Sequence, residues 1–149
     1  MNITQFLTII SVVTLMNSCS PHRSIPKDIK KEINTIDHNK FNTELDLLQE
    51  SMLTYMEMGN PSYKKKDVEE CIHILKLYLK NISASTSKNE GMNLVQSTIE
   101  KLNSLNERCS STLIETNERE IITNIIISAS ADKGYNTIDE DITEQWRKW

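Results

Sequence analysis

Few side chains in this chain could do chemistry: three cysteines at 19, 71 and 109, and three histidines at 22, 38 and 73. Glu69 and His73 stand four apart, the spacing at which two ligands on one helical face can reach the same divalent metal. The remaining ligands of such a site are missing, because Cys71 belongs to a different face, so the reading is a solvated pair with no metal and no cofactor. A nucleophilic triad needs Ser or Cys, His and an acid converging from distant positions. Only His73 lies in a strongly patterned segment, so no catalytic residue is assigned and the chain is expected not to be an enzyme. The acidic run DKGYNTIDEDITE places Gly134 too soon after Asp132 for a calcium loop. It is expected to be a linker and a helix start.

The elements that must position these residues are helical. With 3 Gly, 3 Pro and 5% aromatic residues in 149, the chain lacks the punctuation of a many-stranded sandwich or barrel. At 38% hydrophobic and 26% charged it suits one domain, and the mild net charge of −4, with both signs interspersed, offers no basic field to attract nucleic acid. The expectation is an all-α fold, a small antiparallel bundle of four to five helices spanning residues 41–149.

Within that span, Phe41, Leu45, Leu48, Met52, Tyr55 and Met56 share one helical face, and Gly59-Asn60-Pro61 supplies a left-handed stop, a cap and a first-turn proline. Met52, Met56 and Met58 fit core packing better than an adaptable groove. Val68, Cys71, Leu75, Tyr78 and Ile82, joined by Ile72 and Leu79, form the seam of a second helix. Ser87 and Glu90 make a capping box for a third, whose seam runs through Met92, Val95, Ile99, Leu102 and Cys109 with Asn106 as its one polar interruption. Asn117 and Glu120 repeat the cap before the apolar run at Ile121–Ile126, with Gly134 as the stop.

Cys71 and Cys109 therefore sit on the seams of adjacent antiparallel helices. Counted from the turn near residue 87, an ideal hairpin leaves them about 9 Å out of line, whereas a bridge needs Cα atoms within about 7 Å. An asymmetric turn repairs the difference, so a Cys71–Cys109 disulfide and two buried thiols both stand.

The first eighteen residues carry no charge, and Phe6 to Met16 form an apolar stretch too short to span a bilayer but of the length of a signal-peptide core. At its end, Met16-Asn17-Ser18-Cys19 resembles the lipobox of bacterial lipoproteins, in which a small residue precedes the cysteine that is lipidated through sulfur and becomes the new N-terminus. The resemblance covers about twenty residues and implies a signal peptide over 1–18, lipidation of Cys19, and a cell-envelope address in which Ser20 is the family's signal for the outer membrane. Simple secretion, or an ordinary thiol in an uncleaved helix, are the alternatives. Residues 19–40 then serve as a tether or a short docking helix, since Ile25, Ile29, Ile33 and Ile36 recur at helical spacing behind Pro21 and Pro26.

The end of the chain, TIDEDITEQWRKW, holds both tryptophans. Thr137 and Glu140 form a capping box, and Ile138, Ile142, Trp146 and Trp149 recur at helical spacing, which predicts a short amphipathic helix. That stripe either docks on the bundle and completes its core or presents Trp146 and Trp149 as an anchor for a protein partner. The expected partners are thus the membrane, through the lipid on Cys19, and another envelope protein. The leading functional reading is a protein-binding or structural module. An immunity-type protein that blocks a toxin, and a secreted enzyme without a recognisable constellation, are the alternatives.

Overall fold

The computed structural model describes residues 27–149, with side chains from Phe41 onward. Four helices make up the bundle: α1 (Lys27–Gly59), α2 (Lys65–Ala84), α3 (Lys88–Arg108) and α4 (Thr116–Asp132). Among the described residues there is no strand, and the fold is the all-α bundle that composition and periodicity predict. The signal segment, Cys19 and the lipobox lie outside the described residues.

α2 is the central helix and packs on each of the other three, while α1 and α4 also pack on one another. Their directions follow from paired residues. Glu44 meets Asn124 and Ser51 meets Asn117 and Glu118, so α1 and α4 run antiparallel. Arg108 at the end of α3 pairs with Glu70 at the start of α2, which makes these two an antiparallel hairpin. The core draws Leu45, Leu48 and Met52 from α1, Leu75 and Tyr78 from α2, Ile99 and Leu102 from α3, and Ile122, Ile125 and Ile126 from α4. Two tyrosines in it satisfy their hydroxyls on helical carbonyls: Tyr63 donates to Met52 O at 2.8 Å and Tyr78 to Ile126 O at 2.9 Å. Burial pushes the Tyr63 phenol up to about 12, with the Glu118 charge adding to it.

The helix ends obey local chemistry, though not always at the expected residues. Ser87 caps α3 by accepting from Glu90 N, but the Glu90 carboxylate reaches past the cap to Thr86 N. α2 and α4 start differently. In each, the acid at the third helical position accepts the backbone N–H of the preceding cap residue: Asp67 from Lys64, and Glu118 from Glu115. The predicted Asn117–Glu120 cap is therefore displaced by two residues, and Asn117, inside the first turn, donates its amide to Ser51 across the α1–α4 interface. The stop after α1 also shifts. Asn60, with φ of 47°, takes the left-handed position expected of Gly59, and Pro61 stays in the loop because α2 begins only at Lys65. α1 itself continues unbroken from Lys27 to Gly59.

α3 and α4 end in the same backbone motif. After α4, Gly134 (φ 73°) donates to Ala131 O and Tyr135 to Ser130 O. After α3, Ser110 (φ 57°) donates to Glu107 O and Ser111 (φ 58°) to Asn106 O. Asn106 then contributes a second time. Its buried side-chain oxygen accepts from both Leu113 N and Ile114 N at 3.0 Å, turning the chain toward α4.

The predicted C-terminal helix does not form. Residues 133–149 run as a strap of turns beside α3, from Tyr135, whose ring lies over Gly91, to Trp146 and Lys148, whose backbone groups pair with Asn103. A Cβ on Gly91 would lie 2.4 Å from that ring, so this glycine makes room for the strap. Asp141 moves the start instead: its carboxylate accepts from Thr143 N at 2.9 Å and from the Thr143 hydroxyl, as an N-cap does. Only the single turn after it, closed by Trp146 N and Arg147 N on Thr143 O, is helical, and a segment this short has too few turns to repay nucleation. The apolar stripe consequently splits: Ile142 is buried while Ile138 is 57% exposed.

Candidate functional site

The outer side of α1 departs from the expected pattern. Core-facing Leu45, Leu48 and Met52 are fully covered, yet Leu47, Tyr55 and Met58 are 54%, 41% and 78% exposed. Tyr55 was expected on the core face and Met58 among core methionines, so both are corrections. Tyr55 stands at the edge of its helical face, toward the groove it shares with Asn117 and Ile121 of α4, and Met58 occupies the last turn of α1. Of the three methionines weighed together, Met52 is in the core and Met56 packs against it.

These three residues border an open groove of about 560 Å³ between α1 and α4, completed by Ser51, Asn117 and Ile121. Its floor is polar and internally satisfied. The Ser51 hydroxyl donates to Glu118 Oε1 at 2.7 Å and accepts from Asn117 Nδ2 at 2.9 Å, while Glu118 Oε2 takes the Glu115 N–H. The Ser51 hydroxyl thereby ties the middle of α1 to the first turn of α4. A groove with apolar edges and a quenched polar floor is suited to binding a side-chain-bearing surface.

A second cavity, of about 610 Å³, opens at the end of the bundle where Phe41, Leu45 and Leu79 meet Lys76, Lys80 and Lys133. Lys133 is already engaged there, donating to Ser83 O at 2.9 Å.

The other candidate residues are not brought together. Glu69 pairs with Lys65 at 3.8 Å on an exposed face, and His73 is likewise exposed. Among the described residues no group of three or more His, Cys, Asp or Glu could hold a metal. Cys71 and Cys109 are both buried, each as a free thiol. Burial pushes the Cys71 thiol up to about 12, with the nearby Cys109 adding to it, which leaves it without thiolate character at neutral pH. Trp146 and Trp149 are half-buried against the core, and Arg147 lies 5.6 Å from the Trp149 ring while pairing with Asp141 at 3.0 Å. No helix among the described residues is long and apolar enough to cross a membrane.

Comparison with known proteins returned no matching family model, no similar curated protein and no similar solved structure.

Proposed function

We propose that this chain is an envelope lipoprotein, held at the membrane through Cys19, whose helical bundle binds another protein along the outer face of α1. One observation carries the binding part: Leu47, Tyr55 and Met58 stand exposed along one side of a helix whose opposite face is completely covered. Removing such side chains from water against a partner yields about 25 cal/mol per Å² of apolar surface, which is the usual source of interface energy. The address rests on Met16-Asn17-Ser18-Cys19 and the uncharged apolar stretch before it.

The test has two parts. Cys19→Ala should move the protein out of the membrane fraction or leave an unprocessed precursor, and an unlipidated chain starting at Met1 in the unaltered protein would contradict the anchor. A photo-crosslinking residue at Met58 should capture protein, whereas the same residue at Leu77, exposed on α2, should not. Equal capture at both positions would remove the groove from consideration.

A further inference from the structure

The unbroken course of α1 has a consequence for its sequence pattern. At 3.6 residues per turn, positions separated by eighteen residues lie about five turns apart on the same azimuth. Positions 29, 33, 36 and 40 therefore stand directly in line with Leu47, Ser51, Thr54 and Met58, the edge and floor of the exposed groove. The first three are isoleucines. They share a face with the open side of α1 and not with Leu45, Leu48 and Met52, which lie about 130° around the helix.

Length adds a second observation. α1 has 33 residues, against 20, 21 and 17 for α2, α3 and α4, so it measures about 50 Å beside partners of about 26–32 Å. No helix of the bundle can accompany it over its full length. Charge adds a third. Residues 27–40 hold four lysines against three acids, while residues 41–59 hold four acids and no lysine or arginine. A second α1 laid parallel would put acid on acid, and one laid antiparallel puts the basic half of each on the acidic half of the other.

We propose that the open face of α1 is covered by α1 of a second copy of this chain, in an antiparallel pair with its two-fold axis near Thr43. In that register Ile29 meets Met58, Ile33 meets Thr54, Ile36 meets Ser51 and Lys40 meets Leu47, each contact occurring twice as an isologous interface requires. This register sets isoleucine positions opposite Met58 and Thr54, and Lys40 in the half that carries Glu50 and Glu57. This rests on the reading of the α1 face as a protein-binding surface, and it names the partner.

The test uses the full chain carrying Cys19→Ala in mild detergent. Light scattering should give a protein mass twice the 17.2 kDa of one chain, falling to one chain on dilution over about a hundredfold range. Leu47→Glu with Met58→Glu, both at exposed positions, should abolish the dimer, leave the helicity of the bundle unchanged and remove the concentration dependence of its melting temperature. Orientation is decided by oxidation. Thr43→Cys should cross-link to itself, Ile33→Cys alone should not, and Ile33→Cys mixed with Thr54→Cys should form the mixed dimer. A monomer at every concentration, self-cross-linking at Ile33→Cys, or a dimer that survives the double glutamate variant each overturns the proposal. If the chain is monomeric and the Met58 cross-linker captures a different envelope protein, the binding face stands and the pairing falls. If neither copy nor partner is captured there, both fall. A monomer in which residues 1–26 cross-link to Met58 of the same chain would show that the face is covered internally.

Discussion

α3 and the strap lie side by side, yet one holds itself and the other is held. α3 satisfies its own backbone over 21 residues, is capped by its own Ser87, and ends in its own left-handed turn at Ser110. The strap borrows its partners: Asn103 of α3 donates its amide to Trp146 O at 2.8 Å and accepts Lys148 N at 3.1 Å, and Gly91 leaves space for Tyr135. Tyr135 in turn reaches the Ser85 hydroxyl at 3.1 Å. A helix of this length is a unit that packing then stabilises, whereas a strap exists only where another element offers it a surface. Damage to α3 should therefore propagate to the strap, and damage to the strap should stop at α3.

The sharpest way to break the asymmetry is Asn106→Ala. It leaves two buried N–H groups, of Leu113 and Ile114, without an acceptor, and at about 1–3 kcal/mol for each orphaned donor the cost should be about 2–6 kcal/mol in urea unfolding. If stability changes by less than about 0.5 kcal/mol, Asn106 does not organise this end of the bundle. Next comes Trp146→Ala with Trp149→Ala. Because both indoles are only half-buried, the pair should cost about 2–4 kcal/mol, less than the full-burial figure, with the far-UV signal of the helices retained. Loss of the helical signal in native buffer would mean that α3 leans on the strap as much as the strap on α3.

Two smaller effects refine the picture. Ser110 occupies a left-handed position that Gly134 occupies after α4 at no steric cost, so Ser110→Gly should stabilise the protein by about 0.5–1 kcal/mol. A melting temperature that falls would show that the serine makes a compensating interaction. The smallest concerns acid. Burial alone would raise the Asp141 pKa, but the hydrogen bonds from Thr143 and the charge of Arg147 outweigh it and hold the carboxyl below its ordinary 3.8. A depressed folded value contributes stability that is present above the unfolded pKa and is lost as pH falls through the folded one. Because this carboxylate is 38% exposed, its share should be a few tenths of a kcal/mol, seen as a slightly flatter acid limb in Asp141→Asn. An unchanged limb would show that the Thr143 turn contributes nothing to the strap.

These comparisons also explain what the amino-acid sequence revealed. The α2 seam from Val68 to Ile82 and the α3 seam from Val95 to Leu102 were legible because several turns of one period leave little doubt about which side is buried. The strap carried the same kind of signal, the Thr137–Glu140 pair and four apolar positions, and the signal failed because Asp141 takes the cap in place of Thr137 and leaves a single turn behind it. Asn106 was visible as a polar interruption, but its role depends on Leu113 and Ile114 returning to it, which no local pattern encodes. Tyr55 and Met58 were misplaced for a related reason. Periodicity finds the apolar side of a helix, while the limits of that side depend on how far α2 and α4 extend beside it. Cys71 and Cys109 were located on their seams, and whether they bridge depended on the register of two helices rather than on either sequence.

The central place of α2 bears on how the molecule opens. α1, α3 and the strap lie at the edges of the packing and can detach with part of the bundle intact, but α2, although it keeps an exposed face at Glu69, His73 and Leu77, is packed on by all three other helices. Any fluctuation that exposes its backbone must first displace its neighbours. The amides around Leu75 and Tyr78 should then exchange with solvent deuterium only when the whole domain unfolds, and their exchange rate would report the global free energy of this fold directly.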